Sequence, residues 1–195
     1  QQRAATLFVR ELRLQAESQG LEFAPDTSMI SQSEDTAATE EALHLAKRKE
    51  LSGLMSILNL QKIQREQDLT ASQQALGTSR NMLGLIEDEI TIIEPLVRQN
   101  IMPETRLLEL RRDEQRMSGE IQAGVARVAI ARSAILEVEN EISNSLDSYK
   151  RRALEELNTV VAELSEVNTL VPALQERVKR TVIRAPVDGI VNRIN

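Results

Sequence analysis

Residues 83–110 form the stretch LGLIEDEITIIEPLVRQNIMPETRLLEL. Its first half continues a row of apolar residues spaced alternately three and four apart, the pattern of a coiled-coil helix. The row consists of Leu69, Leu76, Leu83, Ile86, Ile90, Ile93 and Val97. The segment 99–102 interrupts the pattern, and Pro103 followed by Glu104 suits the first turn of a new helix. The stretch therefore predicts one helix ending and another beginning within a few residues.

A second apolar row follows the interruption, and most of its steps again alternate three and four. The row consists of Ile135, Val138, Ile142, Leu146, Tyr149, Ala153, Leu157, Val160, Leu164, Val167, Val171, Leu174 and Val178. Because a short link joins two helices that each carry a narrow apolar stripe, the helices must fold back on each other. We expect an ascending helix over 33–99, a tip over 100–103 and a descending helix over 104–180.

The region before the hairpin predicts a shorter helix over 1–19 that ends at Gly20. A turn-rich break follows over 20–32, and Ser31 with Glu34 forms the pattern of a capping box that opens the ascending helix. The first two helices together hold about as many residues as the third. We therefore expect them to be stacked end to end along it.

The last fifteen residues, 181–195, change from helical periodicity to β-branched runs on either side of a Pro-Val-Asp-Gly turn. Two short strands alone are only marginally stable, so this segment needs another partner. We expect that partner upstream of Gln1 in a longer protein. The predicted fold class is thus mostly α: a long antiparallel coiled-coil hairpin with an additional N-terminal helix stacked on it, plus a short β half-motif.

The composition excludes several classes of protein. Two Phe, one Tyr and no Trp among 195 residues suit thin contacts between helices better than a globular core. The net charge of −6 is spread along the chain, and the basic, aromatic surface of a nucleic-acid-binding protein is missing. No cysteine is present, which is compatible with an oxidising compartment. No apolar run reaches the length of a membrane span, so we expect any membrane anchor to lie outside this piece.

The closing segment Val182-Ile183-Arg184-Ala185-Pro186-Val187-Asp188-Gly189 resembles half of the split lipoyl-like domain in membrane fusion proteins of the haemolysin D family. Arg13-Leu14-Gln15-Ala16-Glu17 is similar to the pattern that ends this family's first helix. Leu96 to Ile101 and Arg106 to Leu110 are similar to the family's hairpin tip, where Asn100 replaces the usual Gly. Asn is the next best residue for a left-handed backbone.

The resemblance implies the periplasmic portion of a Gram-negative inner-membrane protein, an adaptor of a type I secretion system. Such an adaptor links an inner-membrane ABC transporter to a TolC-like outer-membrane channel and assembles as a ring, with a hexamer expected. It also implies a lipoyl-like turn and a channel-docking tip. The turn comprises Ala185, Pro186, Asp188 and Gly189, and the tip comprises Asn100, Ile101, Met102, Pro103, Arg106, Leu107 and Leu110.

Each of these assignments has a simpler alternative. Leu107 and Leu110 could merely close the hairpin, and Arg106 could be a solvated residue at a helix start. Ile101 and Met102 could contact a partner or cover the end of the apolar seam, and the sequence favours neither. The mixed charges from Arg111 to Glu114 could set the register between neighbouring copies of the chain.

No constellation of catalytic residues is visible, so we expect a structural and coupling protein and no enzyme. His44 is the one histidine and lacks companion ligands, which favours a surface or seam position over a metal site. A carrier of lipoate or biotin needs an acceptor lysine, and no Lys follows Lys179, so no cofactor is expected. The rivals are a drug-efflux adaptor of the same architecture and a coiled-coil scaffold or tether, which would leave the Ala-Pro-Val-Asp-Gly segment unexplained.

Overall fold

The computed structural model describes residues 2–24 and 34–181, and it contains three α-helices. Helix α1 spans Gln2–Gln19, α2 spans Glu34–Arg98 and α3 spans Glu104–Thr181. The prediction of three helices with a long hairpin is confirmed. The described residues contain no strand, and the predicted β half-motif falls outside them, as does most of the turn-rich break.

The chain divides into two compact units. Unit 1 contains α1, the start of α2 up to Leu51 and the part of α3 from Leu146 onward. Unit 2 runs from Ser52 to Ser145 and contains the remainder of α2, the tip and the first part of α3.

Unit 2 is an antiparallel hairpin of α2 and α3. Lys62 of α2 pairs with Glu139 of α3, and closer to the tip Glu94 pairs with Arg111. From the first ion pair to the second, the residue number rises in α2 and falls in α3, as an antiparallel arrangement requires. Every α2 residue of the predicted row is buried or half-buried, with Leu76 at 8% exposure. The heptad pattern thus identified the buried face of α2 correctly.

The buried face of α3 in unit 2 extends further toward the tip than the predicted row. Leu110, Met117 and Val128 are buried there, in addition to the predicted Val138. The helices approach closely at Gly124, where an added Cβ would lie 3.1 Å from Cδ1 of Leu76. A glycine at this position lets the leucine side chain lie against the α3 backbone.

Unit 1 is a packing of three helices. Leu7 and Leu14 of α1 form an apolar cluster with Ala153 and Val160 of α3. A second cluster joins α1 to the segment after it and to the start of α2, and it consists of Val9, Phe23 and Ala37 with Leu12 and Ala16 packed against it. Two faces of α1 are therefore buried, one by each partner.

The expectation that α1 and α2 are stacked end to end is wrong. Arg13 of α1 pairs with Glu40, and Glu17, one turn further on, pairs with Lys47 of α2. From the first ion pair to the second, the residue number rises in both α1 and α2, so the two helices run side by side and parallel. The physical reason is the amphipathic character of α1, which has a second apolar face, centred on Val9, that end-to-end stacking would leave in water.

The predicted α3 row also extends too far in unit 1. Ala153 and Val160 are buried, whereas Leu174 and Val178 are 56% and 65% exposed. Residues 172–180 are exposed throughout. Among the described residues, no helix is long and apolar enough to cross a bilayer.

Candidate docking site and buried ionic cluster

The tip of the hairpin is a tight helix ending built around Asn100. This residue has a φ of 55°, in the left-handed region. The N–H of Asn100 donates to the carbonyl of Val97 at 2.9 Å, and the N–H of Ile101 donates to the carbonyl of Leu96 at 2.9 Å. These two bonds are those of a Schellman motif, which satisfies the last carbonyls of a helix. Asparagine tolerates this conformation better than most residues with a side chain, and a similar turn ends α1 at Gly20, where φ is 74°.

The turn brings apolar side chains to the end of unit 2. Ile101 is 64% exposed, Met102 is half-buried and Pro103 is exposed. Ile101 therefore does not cover the end of the seam, whereas Met102 is partly withdrawn. Helix α3 then begins at Glu104, with the N–H of Arg106 donating to the carbonyl of Pro103 at 3.1 Å.

The guanidinium of Arg106 is held by two carboxylates of its own chain. It lies 2.5 Å from Glu89 of α2 and 3.5 Å from Glu109 of α3. The hydrogen bond and charge of Glu89 raise the pKa of Arg106, with a smaller contribution from Glu109. The side chain is nevertheless 44% exposed, so guanidinium donors remain available at the surface.

The two leucines of the predicted tip lie in different environments. Leu107 is half-buried, and Leu110 is 3% exposed in the seam of the hairpin. Leu110 therefore closes the hairpin, and it is not part of the exposed surface of the tip. The exposed set is Asn100, Ile101, Pro103 and Arg106.

The charged segment after the tip is partly paired within the chain. Arg111 lies 3.5 Å from Glu94 of α2, and Arg116 lies 2.8 Å from Asp113. The side chains of both arginines are more than half exposed.

A buried ionic cluster in unit 1 is the most unusual polar feature of the described residues. Arg13 and Glu17 are both about 1% exposed and lie 2.5 Å apart within α1. Arg13 also bonds Glu40 of α2, and its guanidinium lies 3.8 Å from Glu156 of α3. Glu17 lies 3.3 Å from Lys47. One arginine thus connects all three helices of unit 1.

The charge balance of this cluster keeps Arg13 ionised in a buried position. Burial by itself would lower the pKa of Arg13, but the hydrogen bonds and charges of Glu17 and Glu40 outweigh it and raise that pKa. A buried ion pair stabilises a fold only when its remaining donors and acceptors are satisfied. Here Glu40, Glu156, Lys47 and His44 surround the pair of Arg13 and Glu17.

His44 lies beside this cluster and is 2% exposed, so of its two predicted positions the interior one is correct. The backbone N–H of Phe23 donates to its Nε2 at 3.3 Å, and its Nδ1 lies 3.6 Å from Glu17. Nε2 thus acts as a hydrogen-bond acceptor, whereas Nδ1 is buried without a hydrogen-bond partner among the described residues. His44 thereby fastens the segment after α1 onto α2.

Arg13, Leu14 and Glu17 belong to the sequence pattern that ends the first helix, and all three are buried. The sequence showed this pattern but did not show the residues of α2 and α3 with which Arg13 and Glu17 pair. The feature that could have indicated burial is the spacing of Arg13 and Glu17, four residues apart on one face of α1 and next to the apolar Leu14.

In residues 2–24 and 34–181, no group of three or more His, Cys, Asp or Glu residues could hold a metal ion. The predicted lipoyl-like turn lies outside these ranges.

Comparisons with known proteins agree with this architecture. Residues 1–177 match the family described as AprE, long alpha-helical hairpin. The chain is 26% identical over 200 residues to the type I secretion system membrane fusion protein PrsE of Rhizobium meliloti, strain 1021. This match covers 97% of the chain and 45% of that protein, so the chain spans about half of its relative.

A solved structure shares the fold. The soluble domain of LipC, a membrane fusion protein of a type I secretion system, superposes with a TM-score of 0.85. The superposition covers 96% of this chain and 91% of that one, at 21% identity.

Proposed function

Because the chain belongs to the AprE family of long α-helical hairpins, we propose that it is the periplasmic hairpin of an adaptor for type I protein secretion. The adaptor would link an inner-membrane ABC transporter to a TolC-like outer-membrane channel. Its role is geometric, to span and to align, with no chemistry of its own. The likeness to PrsE favours secretion over drug efflux.

The observation that carries the docking proposal is the apolar tip. A turn in water is ordinarily polar, yet here Ile101 is 64% exposed at the point where the hairpin reverses. The Schellman bonds fix its backbone, so little conformational entropy is lost when a partner covers it. The guanidinium of Arg106, in the first turn of α3, retains exposed donors for carbonyls or carboxylates at the ends of the channel's helices.

Self-association is the second part of the proposal. Copies of the adaptor would stand side by side in a ring, with a hexamer expected, and enclose the export path. This arrangement would place six tips together at the channel. The part of the protein outside this chain would supply the membrane anchor and the contact with the transporter.

A secretion assay tests docking. Replacement of Ile101 by Asp places a charge at the proposed contact, and we expect it to lower the secreted substrate by about tenfold, as loss of an interface hot spot does. The matched control is Leu60→Asp, since Leu60 has the same 64% exposure but lies on α2 away from the tip. Equal secretion by both variants, at equal adaptor levels, would count against docking through the tip.

A further inference from the structure

Helix α2 carries a second heptad row in unit 2, outside the seam it shares with α3. The row consists of Ala71, Ala75, Thr78, Met82, Leu85, Glu89, Ile92 and Leu96, with alternating steps of four and three. Met82, Leu85 and Ile92 are 52%, 69% and 65% exposed. A helix with two such rows is typical of one that packs against two neighbours. In unit 2 the first row is covered, whereas the second row is exposed except at the half-buried Glu89 and Leu96.

The second row lies on a definite side of the hairpin. Glu89 belongs to this row and pairs with Arg106, so the row lies on the side of that ion pair. The pair Glu94 and Arg111 joins the same two helices elsewhere on their surfaces, because Glu94 is five residues from Glu89 and therefore on a different face of α2. We call the side of Glu89 the α2 face and the surface of α3 around Arg111 the α3 face.

The α3 face has its own apolar residues at heptad spacing from Arg111. They are Leu108, Val125, Ala129 and Leu136, of which Leu108, Val125 and Leu136 are 49%, 47% and 58% exposed. Arg132 lies on the same face, and within the described part of unit 2 it forms no ion pair. Two different faces of one hairpin thus offer helical surfaces that nothing in unit 2 covers.

When two hairpins stand side by side at the same height, residues of the α2 face and of the α3 face can be compared by their position along the hairpin axis. The contact of Leu76 with position 124 fixes the level of α2 against α3. Asp68 lies three residues before Ala71 and so extends the row of the α2 face; it is eight residues before Leu76, and Arg132 lies eight after Gly124. Glu89 lies thirteen residues after Leu76, and Arg111 lies thirteen before Gly124. Each acidic residue of the α2 face is therefore level with an arginine of the α3 face.

The residues between these charges match as well. By the same count, Ala71 is level with Ala129, Ala75 with Val125, and Ile92 with Leu108. Small residues lie opposite small or medium ones, and the large apolar pair lies near the tip. Charges of opposite sign at both ends set a unique register, because a shift of one heptad would place Asp68 opposite the uncharged Val125 in one direction and opposite the like-charged Glu139 in the other.

We propose that the α2 face of one copy binds the α3 face of the next copy, in register, with Asp68 against Arg132 and Glu89 against Arg111. The contact joins two different surfaces, so it is heterologous, and repetition about an axis parallel to the hairpins closes a ring. The inference rests on the proposed self-association and names the surface that carries it.

Paired cysteines test this contact in the whole membrane-embedded protein. Ala71→Cys and Ala129→Cys are placed together in one chain, which itself contains no cysteine, with any cysteine elsewhere replaced. Both positions are exposed alanines, so the changes are mild. Mild oxidation is expected to give a ladder of covalent dimers, trimers and larger rings. Each single cysteine variant is the control and is expected to give no ladder.

Three results would overturn the inference. A dimer from Ala71→Cys alone, as strong as that from the paired variant, would mean a two-fold contact between α2 faces. Absence of the ladder while an amine-reactive crosslinker still gives oligomers would place the contact on other surfaces and leave the adaptor role intact. Absence of all oligomers in a secreting strain would contradict the proposed ring as well.

Charge exchange supplies an independent check. Asp68→Arg and Arg132→Asp, each alone, are expected to lower the ladder yield about tenfold, since like charges then face each other. Combined in one chain, they restore opposite charges at every interface and are expected to recover the yield. Failure of the combined variant to recover, with normal helix content by circular dichroism, would contradict the proposed register.

Discussion

Single residues in unit 1 show how ionic groups can occupy a helical interior. Arg13 and Glu17 are buried and paired with each other, and Glu40 and Lys47 supply a further opposite charge to each. Removing one member of such a pair leaves an uncompensated charge, whereas replacing both by apolar side chains is often tolerated.

Arg13→Met is therefore expected to lower the free energy of unfolding by about 3–5 kcal/mol, and Arg13→Met combined with Glu17→Leu to recover most of that loss. Urea denaturation followed by circular dichroism measures the effect. The control is Arg10→Met, because Arg10 is 45% exposed and lies 3.7 Å from Glu156, and its loss is expected to cost less than about 1 kcal/mol. Equal effects at positions 10 and 13 would contradict the description of the cluster.

Tyr149 is the one tyrosine of the chain, and its hydroxyl is buried without a hydrogen-bond partner among the described residues. Burial, and next the charge of Glu17, raise the pKa of this hydroxyl. A group whose pKa is raised on folding contributes stability at lower pH and loses it as the pH rises through the folded pKa. The contribution of Tyr149 to stability is thus expected to be lost as the pH rises through its folded pKa in alkaline solution.

Absorbance of the phenolate at 295 nm reports Tyr149 alone, because no tryptophan or second tyrosine is present. The titration midpoint of the folded chain is expected above the ordinary value of about 10, and that of the chain in urea at that value. Coinciding midpoints would mean that the hydroxyl is solvated in the folded state.

At the scale of helices, the sequence predicted the repetitive parts well and the specific packing poorly. The α2 row from Leu69 to Val97 was assigned correctly because a heptad stripe has only one way to be buried against a single partner. Leu110 was assigned to the docking surface, although it is buried. Its spacing fits the seam of α3, but the predicted row began only at Ile135, so this part of the stripe was missed.

The position of α1 depends on long-range contacts that no periodicity reveals. Phe23, just after α1, is 8% exposed, and its ring lies edge-on to His44 with centroids 5.9 Å apart. The break over 20–32 was predicted as a connection only. Instead, its first residues form part of the core of unit 1, because Phe23 is one of only two phenylalanines and supplies the largest apolar side chain available there.

The two phenylalanines give a matched pair of variants. Phe23→Ala removes a buried ring and is expected to destabilise unit 1 by about 3–5 kcal/mol. Phe8→Ala affects a ring that is 41% exposed on the surface of α1 and is expected to cost much less. Thermal unfolding of both variants decides the matter, and a larger loss at position 8 would be incompatible with the packing described for Phe23.

At the scale of the whole molecule, the proposed adaptor role depends on the hairpin, its tip and a ring of copies. The order of segments in the sequence pointed to an adaptor family, and membership of the AprE hairpin family agrees with it. The tip could be located from the sequence because a helix break between two heptad rows has a fixed position. The sequence could not show which tip residues are exposed, because their exposure depends on how the turn at Asn100 directs Ile101 and Met102.

Site-directed crosslinking in secreting cells tests docking through the tip. Cysteines are placed singly at Ile101, Pro103 and Leu107 of the tip and at the exposed Ser143 of α3 as the control. We expect crosslinks to an outer-membrane channel from the three tip positions and none from Ser143. Absence of tip crosslinks during active secretion, or equal crosslinking from Ser143, would contradict docking through the tip and favour a coiled-coil scaffold.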